Sequence, residues 1–374
     1  MRPLHPRDPH EPHRASTQLE LLFDLVSVIA ISAITAAFHH AASEGHGLDV
    51  LPNYIFLFTA IWWAWMNFTW FASAFDNDDQ IYRWLTMVIM CGSLIFAGGV
   101  GSIFETLNFK WGLIGWIIMR IGMIGLWLRA AESGTTYRKT ALRYAVGIAV
   151  AQAGWVALNV LTAPGSPTFL LFGILVFALE FSVPAFAERA RPTPWHRHHI
   201  IERYGLLTII VLGEGLLSVA HGYGLLFEGN AEVDAAIIAT SGLVITFSLW
   251  ALYFCETEHL RTNDNVTAFI WGYGHLPFFM GAALIGGGIG VELDVADHRA
   301  VTDYTAAAWY LGGPLALCLI VLWAIRDSRH DLGPRAWALP IMAGMMILGS
   351  LLAIPAWAFA LLMLATALWR VPLN

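Results

Sequence analysis

The chain has 374 residues, of which 57% are hydrophobic and 13% charged, with a formal net charge of −7 and a mean hydropathy of +0.62. Soluble domains carry roughly 25% charged residues, so the composition excludes a water-soluble globular protein and expects lipid around most of the chain. Nucleic acid is excluded by the lack of a basic patch, and the three cysteines, Cys91, Cys255 and Cys318, offer neither a disulfide framework nor a paired CxxC metal site.

Residues 1–16 form a polar tail rich in Pro and His, without the small-residue cleavage site of a signal peptide. Apolar runs long enough to span a bilayer then follow at about 18–39, 51–74, 81–102, 111–130, 141–161, 168–187, 201–221, 235–255, 266–290, 304–325, 335–352 and 354–370. They predict an all-α polytopic membrane protein of about twelve helices, with the last two meeting at Ile354-Pro355. Lys and Arg collect in cytoplasmic loops. Seventeen of the twenty, among them Arg2, Arg14, Arg83, Arg129, Arg203, Arg261 and Arg370, fall in the tail and the even-numbered loops. Only Lys110 and Arg299 lie in odd loops, where acids gather instead, at Glu44, Asp49, Glu228, Glu232, Asp234, Glu292, Asp294 and Asp297. Both termini are therefore expected in the cytoplasm, at the bacterial inner membrane.

The first apolar stretch, Glu20 to His40, has an echo at Glu202 to Gly222 that aligns without gaps and pairs Glu20 with Glu202 and His39 with His221. Trp63-Ala64-Trp65 is echoed by Trp250-Ala251-Leu252, and Cys91–Gly101 by Met280–Gly290. The order of these matches predicts two parallel six-helix halves, 17–190 and 191–374. The Gly runs at 98–101 and 286–290 are expected to let helices approach closely.

A charge in the bilayer costs at least ~2.5 kcal/mol, so the ionisable groups inside the predicted spans are candidate functional residues. They are Glu20 and Asp24 in the first helix, Arg120 in the fourth, Glu180 in the sixth, Glu214 in the seventh and His275 in the ninth, with Asn67 in the second, Arg83 just inside the third, and Glu202-Arg203 opening the seventh. Asp24, Glu180 and Glu214 outnumber Arg120. Such an excess calls for a protonated carboxyl or a bound cation, and the alternative is a structural network in which Arg120 holds Glu180 and Asp24.

Phe75-Asp76-Asn77-Asp78-Asp79, where the second helix ends, has the hard-oxygen density for Mg²⁺ with a diphosphate, and Thr262-Asn263-Asp264-Asn265 occupies the equivalent loop of the second half. The competing reading is a solvated turn with Arg83 in reach. His196, His198 and His199, with His5, His10 and His13 of the tail, are expected to be exposed; His39, His40 and His221 are expected at the interface, and the Trp residues at 62, 63 and 65 to face lipid or pack. No Lys lies within a span, which excludes a retinal Schiff base, and GxxxxGK[ST] and HExxH are absent.

Glu20-Leu21-Leu22-Phe23-Asp24, Phe75–Asp79 followed by Arg83, Arg120 to Arg129-Ala130-Ala131, His199–Leu206 leading to Leu212-Gly213-Glu214, and Tyr273-Gly274-His275-Leu276-Pro277 resemble the bacterial low temperature requirement protein A family. Leu22 stands where an aromatic is usual and Gly215 where Ser is common; neither change removes an ionisable group. The resemblance implies a polytopic inner-membrane protein and supplies no substrate. The expected function is a secondary transporter or proton-linked permease of a small molecule or ion, requiring no cofactor. The alternatives are an intramembrane Mg-dependent enzyme acting on a lipid or isoprenoid diphosphate, and a membrane sensor or assembly protein.

Overall fold

The computed structural model describes residues 4–12, 14–132, 134, 136–227, 233–256, 260, 264–329 and 332–371. Arg2, His13, Glu228, Glu232, Arg261, Thr262 and Asn263, all named above, lie outside them. The described chain is helical: α1 (Gln18–Ser43), α2 (Gly47–Phe75), α3 (Gln80–Thr106), α4 (Lys110–Glu132), α5 (Arg138–Leu161), α6 (Pro167–Glu188), α7 (Arg197–Phe227), α8 (Val233–Phe254), α9 (Asn265–Ala296), α10 (Tyr304–Ile325), α11 (Ala338–Leu351) and α12 (Ala356–Arg370).

The helix starts follow local chemistry. Asp79, Ser166, Asp264 and Asp303 cap α3, α6, α9 and α10, each side chain accepting a backbone N–H of the first turn. Among the described residues, ten helices are long and apolar enough to cross a bilayer. Among the described residues all twelve expected helices are present, and the last two, at the end of the chain, are short. There α11 and α12 have 14 and 15 residues, about 21 and 22 Å at 1.5 Å per residue, against a hydrocarbon core of ~30 Å. The break between them comes where Pro355 cannot continue the helix.

The chain packs into two compact units, one formed by residues 4–33 and 60–203 and the other by 34–59 and 204–371. In the first unit α3 packs on α4, α4 on α5 and α5 on α6. A Cβ on Gly92 would lie 2.6 Å from the Gly115 carbonyl oxygen, so α3 and α4 touch backbone to backbone.

In the second unit α9 packs on α8 and α10, α10 on α11, and α12 on α8 and α11. With 89% of its apolar window buried, against 28% for α6, α9 is the core helix of this unit. Its glycines allow that. A Cβ on Gly286 would lie 2.8 Å from the Glu214 backbone, and one on Gly290 would lie 2.8 Å from the His39 ring. The other glycine run is mixed: a Cβ on Gly99 would lie 2.8 Å from the Gly112 backbone nitrogen, whereas Gly98 and Gly101 face open space.

Candidate functional site

In the first unit, two groups of buried charge are held by α1, α2, α4, α5, α6 and the first turns of α7. The first is built on the start of α1. Thr17 and Glu20 form a capping box: Glu20 N–H donates to the Thr17 hydroxyl (3.3 Å) and Thr17 N–H to Glu20 Oε2 (2.8 Å). This fixes one carboxylate oxygen and aims the other, Oε1, inward, where His199 Nε2 lies at 2.9 Å and Arg203 Nη1 at 3.2 Å.

One turn along α1, Asp24 Oδ1 accepts from Arg203 Nη2 (2.6 Å) and Trp65 Nε1 (2.7 Å). Glu20, Asp24, His199 and Arg203 are each 0% exposed. Asp24 Oδ2 and His199 Nδ1 are buried without a hydrogen-bond partner among the described residues. Arg203 is reached through helical spacing: His199 and Arg203 are four residues apart on α7, as Glu20 and Asp24 are on α1, so two matching faces meet.

The second group centres on Glu180. Its Oε2 accepts from Trp63 Nε1 (2.7 Å) and Arg120 Nη2 (2.9 Å), and its Oε1 from Trp155 Nε1 (3.2 Å). The Arg120 guanidinium lies 4.0 Å from the centroid of the Trp116 ring. The Arg120–Glu180 pair matches the structural alternative from the sequence, but Asp24 belongs to Arg203 instead of Arg120. Asn67 donates to the Trp63 carbonyl at 2.8 Å and is a helix-packing residue.

Several expectations from the sequence are corrected. Arg203, counted from the sequence among the loop bases and also named as a candidate opening the seventh helix, is the buried base of the first group. His199 and His196, expected to be exposed, are 0% and 5% exposed. Trp63 and Trp65 pack inside, one of the two readings expected of them, and their indole N–H groups donate to Glu180 and Asp24. Glu202 is exposed and accepts from Ser16 N–H (3.1 Å). Arg83 is exposed and makes two bonds to Asp78, at 2.8 and 2.6 Å, away from the buried groups.

The three aspartates of the Mg²⁺ reading are each turned to an arginine. Asp78 has Arg83, Asp79 has Arg129, whose Nη1 donates at 2.7 Å, and Asp76 has Arg7 and Arg14 at 3.9 and 4.0 Å. Among the described residues no three His, Cys, Asp or Glu side chains are arranged to hold a metal ion. Electrostatics divide the loop. The Arg83 and Arg129 hydrogen bonds hold Asp78 and Asp79 below the usual aspartate range, Asp79 down to about 2. Burial, with the Glu20 carboxylate adding to it, pushes Asp76 up to about 6.

In the second unit, His275 is 0% exposed and packed among Tyr204, Trp271, Phe278 and Phe279. One ring nitrogen lies 2.8 Å from the Trp271 carbonyl and the other 3.2 Å from the Tyr253 hydroxyl, which makes it a satisfied core histidine. Glu214 is half-buried against Gly286. Gly286 is eleven residues beyond His275 on α9, about 16 Å away by helical rise, so Glu214 and His275 lie at different levels along α9. His39, expected at the interface, contacts Asp294 at 2.8 Å, and Ser43 donates to the same carboxylate oxygen at 2.7 Å.

Among the described residues, ten helices of spanning length and several buried, arginine-paired carboxylates, the two groups above and Asp327 with Arg326 and Arg370, define a polytopic membrane protein. The family model for the bacterial low temperature requirement A protein (LtrA) matches residues 15–371, and the chain belongs to that family. It is similar to an uncharacterized protein of Rhizobium meliloti (strain 1021), 23% identical over 330 residues that cover 84% of this chain and 78% of the relative. No solved structure matches the chain.

Proposed function

We propose that the protein is a proton-linked secondary carrier of a small molecule or ion in the bacterial cytoplasmic membrane, with both termini on the cytoplasmic side. The observation that carries this is the charge of the Glu20–Asp24–His199–Arg203 group. Two carboxylates share one guanidinium at 0% exposure, so the group has a net charge of −1 with a neutral imidazole and reaches zero with one further proton. In surroundings where an uncompensated charge costs several kcal/mol, that proton is part of the structure. His199, Glu20 and Asp24 are the atoms that can hold it.

Losing the proton leaves a negative group that draws in a cation; gaining it releases one. In this cycle Arg203 changes partner between Glu20 and Asp24, since its Nη1 faces one and its Nη2 the other. The Arg120–Glu180 pair has opposite charges that balance and keeps its geometry while the first group titrates. The arginine pairing of Asp76, Asp78 and Asp79 supports the carrier over the Mg-dependent enzyme.

The test uses liposomes containing the protein and an internal pH dye. Fractions of a bacterial metabolite extract are screened for solutes that collapse an imposed pH gradient only when the protein is present. The carrier reading expects such a fraction, with flux lost in Asp24→Asn and Glu20→Gln. Flux that is indifferent to the gradient, or unchanged in both variants, would remove its basis.

A further inference from the structure

The second unit contains a cavity of 670 Å³ between the first turns of α2, the middle of α9 and the first half of α10. Its volume falls within the ~300–1,000 Å³ range of small-molecule sites, and nothing in the charge groups described above uses it. Four aromatic rings line it, those of Phe38, Tyr54, Trp309 and Tyr310. The Phe38 centroid lies 5.3 Å from that of Tyr54 and 5.8 Å from that of Tyr310. Below them the wall is aliphatic, ending at Leu317.

Charge at this site has one sign. Asp303 lines the cavity and is exposed, and Asp49 directly follows the lining residue Leu48. No Lys, Arg or His is among the described lining residues. In the loops flanking α1, α2 and α10, His46 lies 3.6 Å from Asp49, and Arg299 pairs with Asp297. The N-terminus of α10 contributes about half a positive charge, which the full charge of Asp303 outweighs. Aromatic faces attract cations through their quadrupoles, more strongly when both are out of water, whereas the carboxylates repel anions.

We propose that this cavity binds lipophilic cations, an apolar body against the rings and aliphatic wall with its positive charge toward Asp303. The cation site does not depend on the carrier reading, because it is tested by equilibrium binding without transport.

The probes are tetraphenylphosphonium and tetraphenylborate, alike in size and shape and opposite in charge. Binding to the full chain in nanodiscs is measured by equilibrium dialysis, with empty nanodiscs subtracted. The expected result is saturable binding of tetraphenylphosphonium, one per chain, with no saturable tetraphenylborate binding. Trp309→Leu and Asp303→Asn should each weaken it by about tenfold, the equivalent of one cation–ring or charge contact. Both positions are exposed, and unchanged thermal unfolding of the variants confirms that they fold. Overturning results are no saturable uptake above empty discs, or equal binding of both ions unaffected by either substitution, which marks an unselective crevice filled by lipid.

Discussion

Replacing Arg203 with Met tests the first charge group most sharply. Methionine keeps much of the volume and removes the guanidinium that faces Asp24 at 2.6 Å and Glu20 at 3.2 Å. Breaking a buried ion pair by deleting one partner costs about 3–5 kcal/mol, because the remaining charge is stranded. At about 2.1 cal/mol/K per residue, the unfolding entropy of 374 residues is about 0.8 kcal/mol/K, so Tm should fall by about 4–6 °C. Intrinsic tryptophan fluorescence during heating of the protein in nanodiscs reads this directly. Adding Asp24→Asn to Arg203→Met removes the stranded charge and should restore part of the loss, with a coupling of about 1–3 kcal/mol. If the two substitutions destabilise additively, or Arg203→Met leaves Tm unchanged, then Arg203 does not neutralise Asp24.

Asp76 lies beyond the end of α2, and its carboxyl is pushed up to about 6 by burial first and by Glu20 second. The native state therefore holds this proton more tightly than the unfolded chain between about pH 4 and 6, so stability falls as pH rises through that window, by about 3 kcal/mol in all. Asp76→Asn should flatten that part of a Tm against pH profile; an unaltered slope assigns it to another group. Gly286→Val should cost about 1–3 kcal/mol or more, since its Cβ meets the Glu214 backbone at 2.8 Å. Gly98→Ala, facing open space, should instead gain up to about 1 kcal/mol of helix propensity; the reverse order in thermal unfolding would contradict the packing of α9. Reporter fusions active only in the cytoplasm should work at both ends of the chain, and activity at one end alone would refute the expected topology.

Spanning helices were legible because twenty-residue apolar runs leave few alternatives, and the capping residues Asp79 and Asp264 stand where helices begin. The short α11 and α12 were harder to see: their apolar residues run almost continuously, and only Pro355 separates them. At the charged site the types of residue were legible but the partners were not. Glu20 and Asp24 announce themselves by their cost in lipid, yet nothing along the chain says that Arg203, near a helix start and rich in cytoplasmic-loop neighbours, turns inward.

One available signal was missed. The Thr17-to-Glu20 spacing is a capping box, and it explains why Glu20 has one oxygen committed and one aimed at α7. The His199/Arg203 spacing on α7 repeats that of Glu20/Asp24 on α1, a match visible in the sequence once the two faces are known to meet. Trp63 and Trp65 were read as packing because indole is mostly apolar; only the fold shows where an N–H points. Arg203 also shrinks the excess of acid counted from sequence, leaving the proton argument to rest on Glu20, Asp24 and His199 around a single guanidinium.

That single shared proton is the central claim, and pH-difference infrared spectroscopy of the protein in lipid measures it without knowledge of the substrate. One protonation change that is altered in Glu20→Gln, Asp24→Asn and His199→Gln alike, and retained in Glu180→Gln, is the predicted result. A difference spectrum identical in wild type and the first three variants would show that the group holds no exchangeable proton.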